Sequence, residues 1–252
     1  EYCFYLEKQA LFSPGETWRM PDLVLSAFIT GYIASQPTPV VEFVWQGGEP
    51  TLLGIDFFRR VVELQKPFAK DKTITNSLQT NGTLITDEWC RFLKLHNFMV
   101  GISLDGPKEI HDRYRKDSKG RGAFEKVIRG LRLLQAHHVE YNVLACVARD
   151  TSVRPLEVYR FLRNQGVEFI QFTPIVERMP DAYSSQIGLC LAGTASLDKE
   201  ESNTEITPWT VIPEEYGDFR VGFFFIERSG AGKTKKNPTR KSPPGRLSPR
   251  SM

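Results

Sequence analysis

Short apolar runs rich in β-branched and aromatic residues alternate along this chain with longer segments in which apolar residues recur at helical spacing. The connections between the two kinds of segment are only a few residues long, which is typical of parallel βα units. The short runs are nearly continuously apolar, which favours a sheet covered on both faces. We therefore predict an α/β fold with five parallel strands, at 40–45, 73–78, 98–104, 140–147 and 168–172, and helices at 20–35, 55–69, 87–95, 123–138 and 154–164.

Composition excludes several classes of protein. The chain has 252 residues, of which 40% are hydrophobic and 25% charged, so a packed globular protein is expected. No apolar run approaches the roughly 20 residues that span a bilayer, and nothing resembles a signal peptide, so we expect a cytoplasmic protein without a membrane partner. The four cysteines are widely spaced and form no Cys-x-x-Cys pair, which excludes a dense disulfide scaffold and a zinc ribbon: Cys3, Cys90, Cys146 and Cys190.

The C-terminal third loses the βα pattern. Residues 177–206 are polar and irregular, and we interpret them as a linker. A helix is predicted to begin near Pro213, with acidic residues in its first turn. Residues 228–252 hold eight Lys or Arg and no acid, so without them the net charge of +3 becomes −5 for residues 1–227. This tail is too polar to fold, and its scattered charges without aromatic residues do not indicate a nucleic-acid partner.

Three successive strands end in polar turns that contain glycine: Trp45-Gln-Gly-Gly-Glu-Pro50, Gln79-Thr-Asn-Gly82 and Ser103-Leu-Asp-Gly-Pro107. Each alone is ordinary turn chemistry. In a parallel sheet, however, the three turns share one edge, which is where such sheets bind ligands. We therefore predict a binding site there. Arg115 lies in the following segment, where its guanidinium would bind a carboxylate or ribose hydroxyls, whereas His111 in the same segment is expected to lie in a solvated loop.

Taken with three further segments, these turns resemble the radical S-adenosylmethionine (SAM) enzymes, and in particular their anaerobic sulfatase-maturating branch. The Gly-Gly-Glu-Pro turn alone indicates only the superfamily, whereas the added segments narrow the resemblance to the maturases. The motifs occur in order over about residues 1–220, and those not yet given are Cys3-x-Tyr-Leu-Glu-Lys8, His111-Asp-x-Tyr-Arg115, Phe169-Ile-Gln-Phe-x-Pro-Ile-Val-Glu-Arg178 and Thr207-Pro-Trp-Thr-x-x-Pro-Glu-Glu-Tyr-Gly-Asp-Phe219.

The resemblance implies a partial (β/α)6 radical SAM barrel that lacks its first strand, with a disordered basic C-terminal tail. On this interpretation residues 1–176 form the core barrel and 177–206 the linker. Residues 207–226 begin the connection to a cysteine-rich (SPASM-type) C-terminal domain that the chain does not contain, and 227–252 are the tail, whose abrupt start suggests a frameshift. The chain is thus expected to be an incomplete, inactive copy of a maturase, truncated at both ends.

Two cofactors are implied by the resemblance, a [4Fe–4S] cluster and SAM. The family's cluster is held by a Cys-x3-Cys-x2-Cys loop, in which Cys3 matches the third cysteine. Reductive cleavage of SAM gives a 5′-deoxyadenosyl radical, which abstracts hydrogen from Cβ of a sulfatase Cys or Ser that becomes formylglycine. The family's catalytic Asp would lie in the missing domain. Residues matching the SAM site are Tyr2, Gly47, Gly48, Glu49, Ser103, Arg115 and Val176, and those near the substrate peptide are Tyr5 and Gln46.

The implied partners are a sulfatase polypeptide as substrate and an electron donor such as ferredoxin or flavodoxin. Two alternatives stay open. One is another SPASM-type radical SAM peptide-modifying enzyme, such as a thioether-forming maturase, which shares the barrel motifs. The other is a non-catalytic remnant that binds SAM or a peptide without a cluster.

Overall fold

A computed structural model of the protein describes residues 19–179 and 206–228. The helices are α1 (Asp22–Ser35), α2 (Ile55–Gln65), α3 (Asp87–Leu95), α4 (Lys108–Tyr114), α5 (Phe124–Ala136), α6 (Arg149–Ser152), α7 (Pro155–Asn164) and α8 (Pro213–Arg228). The strands are β1 (Val40–Trp45), β2 (Thr73–Thr80), β3 (Met99–Ser103), β4 (Tyr141–Val147) and β5 (Ile170–Pro174). No helix in the described part of the chain is long and apolar enough to cross a bilayer.

All five strands are parallel and lie in one sheet in chain order, β1 to β5. Each strand pairs with the next one along the chain through a helical connection, which is the arrangement of a βα barrel. Because all strands run the same way, the turns that follow their C-terminal ends lie at one edge of the sheet. The predicted α/β fold with a partial barrel is therefore confirmed, and its five strands are the ones read from the sequence.

In the described part of the chain, helices cover only one face of this sheet. Val41 and Phe43 on β1 are buried against the helices, whereas Glu42 and Val44 between them are exposed on the other face. The same alternation continues through β2 and β4. The expectation of a sheet covered on both faces is thus wrong for the described residues, because the second face of the strands lines the inside of the partial barrel. Polar side chains such as Gln79 and Asn142 belong to that inner face.

Local sequence explains most element boundaries. Thr86 is the N-cap of α3 and its hydroxyl accepts a hydrogen bond from the backbone N–H of Trp89 at 3.3 Å. Pro155 and Pro213 open α7 and α8 at the position where a missing N–H costs nothing. The predicted helix 55–69 ends as an α-helix at Gln65, because Pro67 forces a short 3₁₀ turn, Lys66–Phe68.

Two C-terminal predictions have different outcomes. The helix predicted from Pro213 is present, and Phe219 within it is fully buried against Phe172. Helix α8 packs on α6 and α7, so residues 207–222 are part of the folded body. The predicted tail, 227–252, begins two residues too early, because α8 continues to Arg228. The rest of the tail, from 229 onward, and most of the predicted linker, 180–205, lie outside the described residues.

Candidate functional site

The three glycine-containing turns lie at the C-terminal edge of β1, β2 and β3, as predicted. After β1 the backbone turns through Gly47 (φ 127°) and Gly48 (φ 52°), conformations that residues with a Cβ rarely adopt. No heavy atom of the described residues lies within 4 Å of the position that a Cβ would take on Gly48, so these residues leave the surface there open. A ligand can therefore approach the peptide groups of this turn closely. Gln46, at the start of the turn, is exposed.

The carboxylate of Glu49 links the first turn to the second. Its Oε1 accepts hydrogen bonds from the backbone N–H of Thr51 (3.1 Å) and from the hydroxyls of Thr51 (2.5 Å) and Thr80 (2.7 Å). Its Oε2 accepts from the backbone N–H of Asn81 at 2.7 Å. Four bonds to neighbouring groups make this carboxylate a brace for the ends of β1 and β2. These bonds hold the Gly-Gly-Glu-Pro turn in shape.

Gln79 links the second turn to the third. Its Nε2 donates to the hydroxyl of Ser103 at 3.3 Å, across the inner face of the sheet. The Gln79 side chain lies flat over Gly101 of β3, and a Cβ on Gly101 would meet the Gln79 Oε1 at a separation far below contact distance. A glycine on β3 is thus what lets Gln79 reach Ser103. The family resemblance named Ser103 as a site residue, whereas Gln79 was predicted only as the start of the second turn and Gly101 was not predicted at all.

The third turn carries a buried carboxylate that the sequence analysis treated as ordinary turn chemistry. Asp105 is only 2% exposed and pairs with Arg115 through both oxygens, at 2.6 Å to Nε and 3.1 Å to Nη2. Asp105 Oδ1 also accepts from the backbone N–H of Cys146 on β4, at 2.9 Å. The Arg115 Nη2 lies 3.5 Å from the Cys146 Sγ. Arg115 is therefore held at the same edge as Ser103, between β3 and β4.

His111 does not lie in a solvated loop, as was expected. It sits on helix α4 with no exposed surface, and its Nδ1 accepts a hydrogen bond from the backbone N–H of Asp105 at 3.3 Å. Burial lowers the pKa of its imidazole from 6.5 to about 4, so the ring is neutral at neutral pH. Its Nε2 is buried without a hydrogen-bond partner among the described residues, and the ring meets Phe124 nearly edge-on at 6.0 Å. The error arose because Asp-Gly-Pro was read as continuing into a loop, whereas Pro107 begins a helix.

The segments 169–178 and 207–219, which carry two of the motifs, meet at the edge of the sheet beyond β5. The backbone of Glu177 accepts from the N–H of Thr207 (3.1 Å), and the Glu177 carboxylate accepts from the indole N–H of Trp209. Ile175 packs in a small cluster that includes Trp209 and Cys146. Val176, between two residues fixed in this way, is 69% exposed. The structure thus leaves an apolar side chain facing solvent next to the polar edge.

The predicted site residues fall into two sets. A chain of contacts runs from Glu49 through β2 and Gln79 to Ser103, and then from Asp105 to Arg115 and Cys146. Gly47, Gly48, Glu49, Ser103 and Arg115 are therefore brought together along one edge. Three other predicted residues, Tyr2, Cys3 and Tyr5, lie outside the described residues.

The described residues fit a small ligand with amino, carboxylate, hydroxyl and adenine groups, as SAM has. Open backbone at Gly48 suits a polar head group, the Ser103 hydroxyl suits a ribose, and the Arg115 guanidinium suits a carboxylate. They do not themselves offer ligands for an iron–sulfur cluster. Within 19–179 and 206–228, no group of three or more His, Cys, Asp or Glu side chains is placed to hold a metal. Burial raises the pKa of the Cys90 thiol to about 11, which is unsuited to ligation.

Comparison with known proteins agrees with this geometry. The family model of the radical SAM superfamily matches residues 2–171. The serine-type anaerobic sulfatase-maturating enzyme of Bacteroides thetaiotaomicron is 43% identical over 90% of this chain and 56% of its own length. The cysteine-type enzyme of Clostridium novyi is 43% identical over 73% of this chain and 49% of its own length. The chain thus spans about half the length of these curated relatives.

A solved structure of native anSMEcpe with bound AdoMet and the Cp18Cys peptide superposes with a TM-score of 0.74 at 32% identity. The superposition covers 91% of this chain and 56% of the chain in that structure. The resemblance to the sulfatase-maturating branch is therefore confirmed by both sequence and structure. The radical SAM family model matches well over half of the residues of this chain, so the chain belongs to the radical SAM superfamily.

Proposed function

We propose that this chain is the barrel portion of a radical SAM oxidoreductase that matures sulfatases, converting a Cys or Ser side chain of the client to formylglycine. The observation that carries the proposal is the row of contacts along the C-terminal edge, which places the exposed turn at Gly48, the Ser103 hydroxyl and the Arg115 guanidinium along that one edge. Two relatives that are each 43% identical to this chain are named as serine-type and cysteine-type sulfatase-maturating enzymes.

Each residue of the edge has a definite task in this proposal. Peptide groups of Gly47 and Gly48, held by the Glu49 brace, bind the amino end of SAM, because glycine lets a ligand approach the backbone closely. Arg115 neutralises its carboxylate. Ser103 binds the ribose, and the exposed Val176 packs on the adenine. When bound, the cluster and SAM supply the radical that abstracts hydrogen from the client side chain.

The remaining parts of the proposal concern the exposed Gln46, three residues outside the described structure and the partner proteins. Cys3 would be one ligand of the [4Fe–4S] cluster, Tyr2 would contact SAM, and Tyr5 with Gln46 would contact the client peptide. A ferredoxin- or flavodoxin-type donor would reduce the cluster. A cytoplasmic location is part of the same proposal, since thiolate ligands must stay reduced.

Binding of SAM to the chain tests the proposed site directly. Equilibrium dialysis under anaerobic conditions, with iron and sulfide supplied, compares the unsubstituted chain with Arg115→Lys and Arg132→Lys. A Lys side chain has a single nitrogen and cannot pair with Asp105 through two points, so its charge is not held in the same place. Arg115→Lys should therefore weaken SAM binding about tenfold. Arg132 lies exposed on α5 and its substitution should change nothing. Equal affinities for all three proteins would remove Arg115 from the site.

The open alternatives are separated by products. Mass spectrometry of sulfatase peptides bearing Cys-x-Pro-x-Arg or Ser-x-Pro-x-Arg detects formylglycine when the parent enzyme is a sulfatase maturase. A thioether-forming maturase would release 5′-deoxyadenosine yet leave these peptides unchanged. A non-catalytic remnant would bind SAM with no iron and no release of deoxyadenosine.

A further inference from the structure

Asp105 joins three elements of the fold at the binding edge. Its carboxylate, 2% exposed, accepts from the Arg115 guanidinium and from the backbone of Cys146 on β4, and its own backbone N–H donates to His111 on α4. Arg115, by contrast, has a side chain that is 21% exposed. The carboxylate is thus the fixed, interior half of the pair and the guanidinium is the half that reaches the surface of the site.

Two-point pairing fixes the orientation of the guanidinium as well as its position. Asp105 engages Nε and Nη2, which lie on one edge of the planar group, so the plane of the guanidinium is set by the carboxylate. The neighbouring Arg113 makes an ordinary surface contact instead, with one bond of 2.7 Å to Asp150 and a side chain that is 61% exposed. Such exposed pairs hold neither partner firmly. Of these two arginines, only Arg115 is held rigidly.

The orientation of Asp105 depends in turn on His111. The imidazole is fully buried and neutral, and its Nδ1 receives the backbone N–H of Asp105, which would otherwise be a buried donor without a partner. Because only the ring's unprotonated nitrogen can accept this bond, the proton resides on Nε2. That nitrogen faces no acceptor among the described residues. The Nε2–H of His111 thus makes no hydrogen bond to the described residues, while its Nδ1 fixes the backbone of Asp105.

We propose that Asp105 and His111 are positioning residues that orient the Arg115 guanidinium toward the anionic group of the ligand. The inference rests on the proposed function in one respect only, namely that this group is the carboxylate of SAM. It assigns a purpose to the two most buried polar side chains of the third turn and of α4, neither of which was predicted to belong to the site.

Asp105→Asn removes the charge while keeping the shape. We expect SAM binding to weaken about 10- to 100-fold, the usual loss when one charge-assisted hydrogen bond is broken. The matched control is Asp117→Asn, which removes the same charge from the pair with Arg121 in the adjacent loop. This control should bind SAM like the unsubstituted chain. Equal affinity for Asp105→Asn would overturn the inference.

A second readout does not depend on SAM. The Nε–H of Arg115 should give a slowly exchanging ¹⁵N signal in the free protein, identified by its loss in Arg115→Lys. In Asp105→Asn this signal should exchange faster, whereas in Asp117→Asn it should be unchanged. If the unsubstituted chain failed to bind SAM but showed this pattern, the proposed function would fall and the positioning would stand. An unchanged signal in Asp105→Asn would refute the positioning itself.

Two substitutions of His111 keep the inference testable if Asp105→Asn does not fold. Asn can offer its Oδ1 as the acceptor in place of the imidazole Nδ1, whereas Leu cannot. Both lose the native packing, so both should lower the unfolding midpoint. Only His111→Leu should also weaken SAM binding about tenfold and speed exchange of the Arg115 signal, because an unpaired donor displaces the Asp105 backbone. Equal effects of the two variants would mean that His111 is merely structural.

Discussion

A single glycine in helix α5 sets how closely that helix approaches the binding edge, and replacing it gives a quantitative test of the fold. A Cβ on Gly130 would lie 2.3 Å from the carbonyl oxygen of Gly82, in the second glycine-containing turn. Gly82 has little room to retreat. Its φ is 75°, its N–H donates to the hydroxyl of Thr80, and that hydroxyl donates to the Glu49 carboxylate.

Two opposing effects decide the outcome of Gly130→Ala. Ala in a helix interior is favoured over Gly by about 1 kcal/mol. Overpacking a tight contact costs about 1–3 kcal/mol, and here the helix and the turn must separate by about 1 Å to reach normal contact. Because the obstacle is backbone and not a flexible side chain, the second effect should win. We expect a net loss of up to about 2 kcal/mol in the free energy of unfolding.

Gly31→Ala is the matched control. Gly31 also lies inside a helix, α1, but nothing is within 4 Å of its Cβ position. Only the helix-propensity gain remains there, so this variant should be stabilised by about 0.5–1 kcal/mol. Urea unfolding followed by circular dichroism measures both variants against the unsubstituted chain. A Gly130→Ala variant as stable as Gly31→Ala would show that α5 does not press on the Gly82 turn.

Three further predictions use other buried groups. The pKa of His111 is about 4 in the folded chain and 6.5 in the unfolded chain, so the neutral ring stabilises the fold fully above pH 6.5 and this stabilisation is lost as pH falls toward 4. Between pH 7 and pH 5 the free energy of unfolding should fall by about 2 kcal/mol. The fall should be smaller in His111→Asn, which has no imidazole to protonate. Thr86→Ala removes the cap that accepts from Trp89 and should cost about 1 kcal/mol in urea unfolding, whereas Thr86→Ser should cost little. Iodoacetamide at pH 8 should alkylate Cys146 well before Cys90, as measured by peptide mass spectrometry. Cys146 is half-buried on the inner face, whereas burial raises the pKa of the Cys90 thiol to about 11. Faster labelling of Cys90 would contradict the packing of α3.

The fold was largely predictable because the local sequence indicates the type of most elements and where they begin and end. β1 begins and ends at the residues read from the sequence, since an apolar run is bounded by Pro39 on one side and Gly47 on the other. The helix from Ile55 was extended too far because apolar periodicity continues past Pro67, and only the missing N–H of proline stops it. That no helix within 19–179 and 206–228 covers the inner face could not be read from composition, because β1 carries Val on both faces.

The binding edge was predictable as a place but not as a network. Glycine-containing turns after consecutive parallel strands meet at one edge by topology alone, which is why the three turns could be placed together in advance. Gly47, Gly48 and Ser103 were named as individual site residues only through the family resemblance. The supporting carboxylate of Asp105 could not, because Asp-Gly-Pro is equally typical of a surface turn. Its burial depends on Arg115 arriving from ten residues away, a contact that spacing does not reveal. A helix at 108–114 was the available signal, since Pro107 precedes it with an acidic first turn.

The link between the segments on either side of residues 180–205 has a consequence for what this part of the chain tolerates. Arg178 and Ile206 form an antiparallel bridge, and the N–H of Val211 donates to the carbonyl of Ile175 at 2.9 Å. The two segments are thus held side by side by backbone bonds of their own, whatever path lies between them. The register between the two segments is therefore set by backbone hydrogen bonds, which substitution of the side chains in 175–178 and 206–211 does not remove.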